Sequence, residues 1–270
     1  MPTIVVTAET EGAGKTGVAA AIARHYAYQG RPTKLVRLPG AGHAAEDAAY
    51  FALLDFVPGS PPQAGHPPQA AANELLVVEA SAGAAPSIDG TVVSVARSDT
   101  GVTTSIAGRE GSFAIPIDRT LAGFTIDDVQ RLISAEVLVE GDGAPGSCDH
   151  LVIAPIGSDA GEPYFRRFQS FAVVVRFDRT DMHLAAIKGG ANLLILTGGR
   201  RPMDYLFDVA SAEAVPVLLA LTDTENTVIA LEPVFDNTRF SGERKLDRMA
   251  NLLQGAGFFE ALPAIPVATR

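Results

Sequence analysis

Cysteine is nearly absent from this sequence: Cys148 is the only one in 270 residues. No intramolecular disulfide can form, and a reducing compartment, the cytoplasm, is the expected location. Long apolar runs are missing too, so no membrane span is expected. The opening residues, Met-Pro-Thr-Ile-Val-Val-Thr, lack the charged leader and long apolar stretch of a secretion signal. Cations are in deficit, with 21 Lys and Arg against 31 Asp and Glu and a formal charge of −10. A broad nucleic-acid surface needs clustered cations to displace phosphate counterions, and none is expected here. A local basic pocket for one phosphate chain remains compatible with that charge.

What is present is ordinary for a folded protein, 47% hydrophobic and 19% charged. The length suits two packed cores or one large α/β domain. Ile4–Val6 is a β-branched run expected to be a buried parallel strand. A loop over Gly12–Thr16 follows, then an Ala-rich helix over Gly17–Gln29 stopped by Gly30. Lys34–Leu38 reads as a strand, Ala44–Phe56 as a helix, and Leu75–Val78 as a strand closed by Glu79. Between Val57 and Pro68 stand five prolines and three glycines or serines, which predicts a loop. Thr91–Ala96 reads as a further strand.

From about Ser112 the pattern restarts, with expected strands at Phe113–Ile117, Val137–Val139, Leu151–Ala154, Ala172–Arg176, Leu193–Leu196 and Val215–Ala220. Helices are expected at Thr125–Ile133, Met182–Lys188, Met203–Ala212, Glu225–Leu231 and Glu243–Leu253. Such alternation implies parallel strands with crossover helices. The expected fold class is therefore α/β, with a phosphate-loop (P-loop) parallel sheet followed by a second α/β domain. The boundary is expected near residues 100–112, giving domains 1–110 and 111–240 and a packing tail over 241–270. The apolar stretch Phe258–Val267 marks self-association if it is left exposed, the alternative being that it folds back onto the sheet.

Chemistry is concentrated in Ala8-Glu9-Thr10-Glu11-Gly12-Ala13-Gly14-Lys15-Thr16, between a strand and a helix. Main-chain amides of a small-residue loop at a helix start form an anion nest, and Gly12 and Gly14 let that backbone approach a phosphate closely. Residues Glu11, Gly12, Ala13, Gly14, Lys15, Thr16 and Gly17 are the candidate nucleotide contacts. Lys15 is placed to neutralise β and γ oxygens, and the Thr16 hydroxyl to ligate Mg2+. The expected ligand is ATP with Mg2+. The strict pattern wants glycine where Glu9 stands. The spacing instead resembles the one-residue-longer loop of the dethiobiotin synthetase family, whose first glycine is replaced by Ala8.

That resemblance implies further site residues: a lysine on the second strand, an aspartate soon after it and a glutamate ending a buried strand. The matching positions are Lys34, on the phosphates with Lys15, and Asp47 and Glu79, around Mg2+ with Thr16. Each also has a plain reading as a surface charge. The family's Lys-Pro-Val-x-Ser-Gly substrate segment is not reproduced in Lys34–Gly40.

The second half carries Ile115–Ala122, Ala154-Pro-Ile-Gly157 with Tyr164-Phe165, Phe177-Asp-Arg-Thr-Asp181, Leu196-Thr-Gly-Gly199 and Thr222-Asp-Thr224. These resemble the DRTGG domain of long bacterial phosphotransacetylases, where it follows a dethiobiotin-synthetase-like P-loop domain. The resemblance implies the regulatory, oligomer-building half of such a protein. The family's catalytic domain would come after residue 270, so acetyl transfer is not expected. Asp178, Arg179, Asp181, Gly198, Gly199 and Arg200 form a candidate second ligand site, with guanidinium and Gly-Gly backbone donors for an anion. Its other reading is structural, an Asp178–Arg179 ion pair and a tight glycine turn.

Two functional readings follow. One is an ATP/Mg-binding regulatory or scaffold protein, self-associating and engaging a protein partner or small metabolite through its DRTGG domain. The other is an ATP-dependent synthetase that phosphorylates a carboxylate or carbamate. Cys148, Asp149 and His150 are close in sequence but lack the second ligand pair of a zinc site. His25 is expected to pack or face solvent, His43 to lie near Asp47, and His183 to sit on the helix after the Asp-Arg-Thr-Asp turn.

Overall fold

The structure is a computed structural model describing residues 2–40, 42–58, 71, 73–84, 88–141, 147–154, 161–236 and 238–265. Most of the proline-rich stretch, the Pro155-Ile156-Gly157 motif and Val267 lie outside the described residues. Contacts divide the chain into two compact units, one of Met1–Asp118 with Lys245–Arg270 and the other of Arg119–Arg244.

The first unit is built on β1 (Thr3–Thr7), α1 (Lys15–Tyr28), β2 (Thr33–Arg37), α2 (Ala44–Ala52), β3 (Leu75–Glu79), β4 (Thr91–Ser98), β5 (Gly101–Ile106) and β6 (Phe113–Pro116). Its sheet runs β2-β3-β1-β4-β5-β6. Strands β2, β3, β1 and β4 are parallel. Ile4, Val5 and Val6 are fully buried, as a strand covered on both faces requires. The last two strands depart from the expected all-parallel pattern, because β4, β5 and β6 pair antiparallel in register Val93↔Ile106 and Val102↔Ile115. Gly101 permits this crossing, since a Cβ there would stand 2.1 Å from the Ile115 carbonyl oxygen. The strand at Phe113 therefore closes the first sheet instead of opening the second unit.

The second unit holds α3 (Ile126–Ile133), β7 (Glu136–Val139), β8 (His150–Ile153), α4 (Gly161–Phe165), β9 (Phe171–Arg176), α5 (Thr180–Lys188), β10 (Leu193–Thr197), α6 (Tyr205–Ala212), β11 (Val217–Leu219) and α7 (Thr224–Leu231). Its sheet order is β7-β11-β10-β9-β8, parallel from β8 to β11 with β7 antiparallel at one edge. Period-two alternation splits each strand between two cores. Val173, Val175, Leu194 and Leu196 pack with Met182, Ala186 and Leu206. Ala172, Val174, Leu193 and Ile195 pack with Phe124, Val129, Leu231 and Val234. Thr125 and Asp128 close a capping box at the start of α3.

The chain then returns to the first unit through α8 (Glu243–Gly255) and α9 (Phe258–Ala261). Leu246, Leu253 and Phe258 are fully buried. His25 stacks on Phe259 at 4.3 Å, and Tyr26 Oη donates to the Pro263 carbonyl at 2.7 Å. The described part of the apolar tail is thus folded back through Phe258, Phe259 and Leu262, which removes those residues as a reason to expect self-association. Among the described residues no helix is long and apolar enough to cross a membrane. Truncating Phe258 to Ala should cost about 3–5 kcal/mol through the cavity it leaves. Urea denaturation reads this, and a loss near zero would mean that the tail is not part of the core.

Candidate functional site

Three parallel strands end side by side, and register decides what they present. Arg37 closes β2 directly opposite Glu79, which closes β3, and Glu79 lies beside Val6 of β1. The loop from Ala8 to Gly14 leaves β1 at the same end. Gly12 (φ 70°) and Gly14 (φ 99°) adopt left-handed backbone, which a side chain resists. Gly14 caps α1, and Lys15 is its first residue.

The charges meet at that strand end. Lys15 is only 3% exposed, with Nζ 3.6 Å from Glu11 Oε2 at the rim. Thr16 Oγ1 donates to Glu79 Oε1 at 3.1 Å. Asp47, in the first turn of α2, feels Arg37, the Thr16 hydroxyl, His43 and Lys15. Arg37 Nε lies 3.5 Å from Glu79 Oε1 and 3.7 Å from Asp47 Oδ2. Its Nη1 donates to the Leu38 carbonyl at 2.6 Å and to Ser81 Oγ at 3.4 Å. Arg37 Nε and Nη2 and Glu79 Oε2 are buried without a hydrogen-bond partner. The guanidinium therefore attracts both carboxylates without being aligned to bond them. Arg97 Nη1 steadies the loop by donating to the Gly12 carbonyl at 3.3 Å.

Burial pushes the Glu79 carboxyl up to about 8, Asp47 adds to that, and Arg37, Lys15 and the Thr16 bond oppose it. Burial likewise raises Asp47, against Arg37. Two carboxyls and two cations held together at one strand end are the arrangement expected of a functional site.

The structure thus gathers Lys15, Thr16, Asp47 and Glu79, with Glu11, Gly12, Ala13, Gly14 and Gly17 in or beside the loop. Lys34 is not among them. It pairs with Leu76, three residues before the strand end, and the odd spacing turns it to the opposite face from Arg37. The cation at the strand end is Arg37. Its signal was present, a cation closing an apolar strand just as Glu79 closes the next one. His43 is exposed and its Nδ1 lies 3.9 Å from Glu46.

In the second unit, β9 and β10 also end side by side. Arg176 Nε donates to Asp178 at 2.7 Å, and Arg179 bonds Asp181 through Nε at 3.0 Å and Nη2 at 2.9 Å. Each of these arginines thus bonds the aspartate two residues on, and Asp178 and Arg179 also attract each other. The arginine hydrogen bonds hold both carboxyls below the usual range. The Gly198 amide donates to the Thr222 carbonyl at 2.7 Å and the Gly199 amide to the Ala220 carbonyl at 3.1 Å. Those donors tie β10 to the end of β11 and do not form an anion cradle. Arg200 lies over the Phe177 ring at 5.8 Å. His183 is buried on α5, with Nε2 2.9 Å from the Arg176 carbonyl.

Residues 128–234 match the DRTGG domain. The Asp-Arg-Thr and Gly-Gly elements therefore lie on adjacent strand ends of the DRTGG domain, at Asp178–Thr180 and Gly198–Gly199. Among solved structures, the chain is similar to the CBS and DRTGG domains of the regulatory region of Clostridium perfringens pyrophosphatase, in complex with its activator diadenosine tetraphosphate. The identity is 18%, the TM-score 0.37, and the match covers 47% of this chain and 56% of that one. This chain thus spans little more than half the length of that relative.

The remaining polar candidates are structural. Cys148 is buried, its thiol pushed up to about 12 by burial and by Asp149. Arg244 holds Asp149, with Nη1 at 2.7 Å from Oδ1, while Arg119 lies 3.1 Å from His150 Nδ1. Among the described residues no three His, Cys, Asp or Glu side chains converge on a metal position.

Two measurements check these assignments. Glu79 binds its proton more tightly folded, with a value about 8 against an ordinary 4.5. Its contribution is therefore full at low pH and is lost as pH rises through that window. Wild type should lose stability relative to Glu79→Gln between about pH 4.5 and 8 in chemical denaturation, and parallel profiles would refute the shift. Gly198→Ala should destabilise by about 1–3 kcal/mol, because φ is 97° and its Cβ would stand 2.9 Å from the Phe177 ring. A neutral effect in thermal melting would show that the turn relaxes.

Proposed function

We propose that the first unit binds a nucleoside triphosphate, ATP by preference, together with Mg2+. The chain then serves as a nucleotide-binding regulatory or scaffold protein of the kind its resemblance to phosphotransacetylase amino-terminal halves implies. The observation that carries this reading is the convergence of buried Lys15 with Thr16, Asp47 and Glu79 at the end of a glycine loop. Main-chain amides at a helix start with an adjacent ammonium suit a polyphosphate.

The oxygen-only donor set suits Mg2+, which takes one or two carboxylates and completes its shell with phosphate and water. Glu79 Oε2, buried and unpartnered, is the donor most in need of a cation. Thr16, Asp47 and Glu79 would hold the ion, which when bound neutralises phosphate charge. Lys15 would sit on the β and γ oxygens, displacing its contact with Glu11. The DRTGG domain would supply the responding element, with a nucleotide, small metabolite or protein as its ligand and self-association as its output.

A second reading, the synthetase, is favoured by Arg37. With it the site has two buried cations beside the proposed metal ligands, the complement that phosphoryl transfer to a carboxylate needs. Titration calorimetry with Mg-ATP and Mg-GTP tests the shared claim. Wild type should bind, and Lys15→Ala should lose about tenfold or more in affinity. No heat with either nucleotide would end both readings. Lys15-dependent phosphate release that appears only with small carboxylic acids would select the synthetase, and binding without turnover the regulator.

A further inference from the structure

Arg37 is 2% exposed, yet two of its three nitrogens have no hydrogen-bond acceptor. Besides the Nη1 bonds to Leu38 and Ser81, charge holds it, since its Nε stands between Glu79 Oε1 at 3.5 Å and Asp47 Oδ2 at 3.7 Å. Between those two carboxylates is where the proposed metal ligands would place a divalent ion. With all four groups ionised, buried Lys15 and Arg37 contribute two positive charges and half-buried Asp47 and buried Glu79 two negative ones, so the set is neutral. The fifth nearby charge, Glu11, is at the rim and half solvated.

We propose that Arg37 is the built-in counter-ion of Asp47 and Glu79, so that the divalent cation enters only with the polyphosphate. This rests on the nucleotide reading above and adds an order of binding to it. A free divalent ion arriving alone would leave two uncompensated positive charges among buried side chains, close beside a guanidinium. Both like-charge repulsion and desolvation oppose that. A triphosphate brings its own negative charge, and the cation then enters a site where the cations already present are matched. Nucleotide and metal binding are thereby coupled, each raising the affinity of the other.

The test uses the full chain with Mn2+ as the spectroscopic probe and its free concentration followed by electron paramagnetic resonance. Without nucleotide, Arg37→Met should bind Mn2+ about tenfold or more tightly than wild type, and Arg37→Lys should stay within about threefold of wild type. Wild type should gain a comparable factor when a non-hydrolysable ATP analogue is added. Equal Mn2+ affinity of Arg37→Met and wild type overturns the proposal, as does weaker binding by the variant. Should Arg37→Met fold only with metal present, its melting temperature should rise with Mn2+, and the rise should vanish in Arg37→Met combined with Glu79→Gln. A rise that survives the double change also overturns it. Loss of ATP-analogue binding in every protein sinks the nucleotide reading, whereas the nucleotide-free Mn2+ comparison alone decides the role of Arg37.

Discussion

Lys15, Arg37 and Glu79 are buried and Asp47 half-buried where β1, β2 and β3 end, and the first unit depends on opposite charges facing one another there. Ionised groups removed from water must be paired or must change protonation. Both answers are in use here, since Arg37 faces Glu79 and Asp47 while burial raises both carboxyls. The parallel sheet makes the encounter possible, because register Arg37↔Glu79 sets opposite charges on neighbouring chains at the same height. Left-handed Gly12 and Gly14 then bring α1 in so that Lys15 and Thr16 enter the same space.

The motif aspartates of the DRTGG domain are handled in the opposite way. Asp178 and Asp181 each bond an arginine two residues away, at the surface, where such pairs contribute little to stability. The work of holding β9, β10 and β11 together at that end falls to backbone amides, Gly198 and Gly199 among them. Glycine is needed there because the turn is left-handed and Phe177 and Leu221 crowd it. The motif residues of this domain are thus first of all parts of its architecture.

Much of this was legible from residues alone. Buried strands announced themselves as β-branched runs, and the glycine loop with Lys15 and Thr16 stood between a strand and a helix as its motif demands. Glu79 was legible because a charge closing an apolar strand falls at the carboxyl end, where open α/β sheets bind their ligands. By the same logic Arg37 was legible, but Lys34 on the same strand competed for the role, and only strand parity separates them. The β4–β5–β6 hairpins escaped notice because Val102-Thr-Thr-Ser-Ile106 is half polar, as an antiparallel edge can be.

Sequence by itself determined the α/β class, the loop, and the local chemistry that each side chain could bring. Local rules reach only a few residues along the chain, and that is the distance over which propensity and periodicity act. Which charges meet depends on contacts between positions as far apart as Thr16 and Glu79, or His25 and Phe259. Tertiary structure alone decided that Arg37 and not Lys34 faces the carboxyls, that the Gly-Gly amides are spent on β11, and that the last helices fold back onto the first unit. The physical reason is the same in each case: burial and pairing are properties of packed neighbours, not of the chain that supplies them.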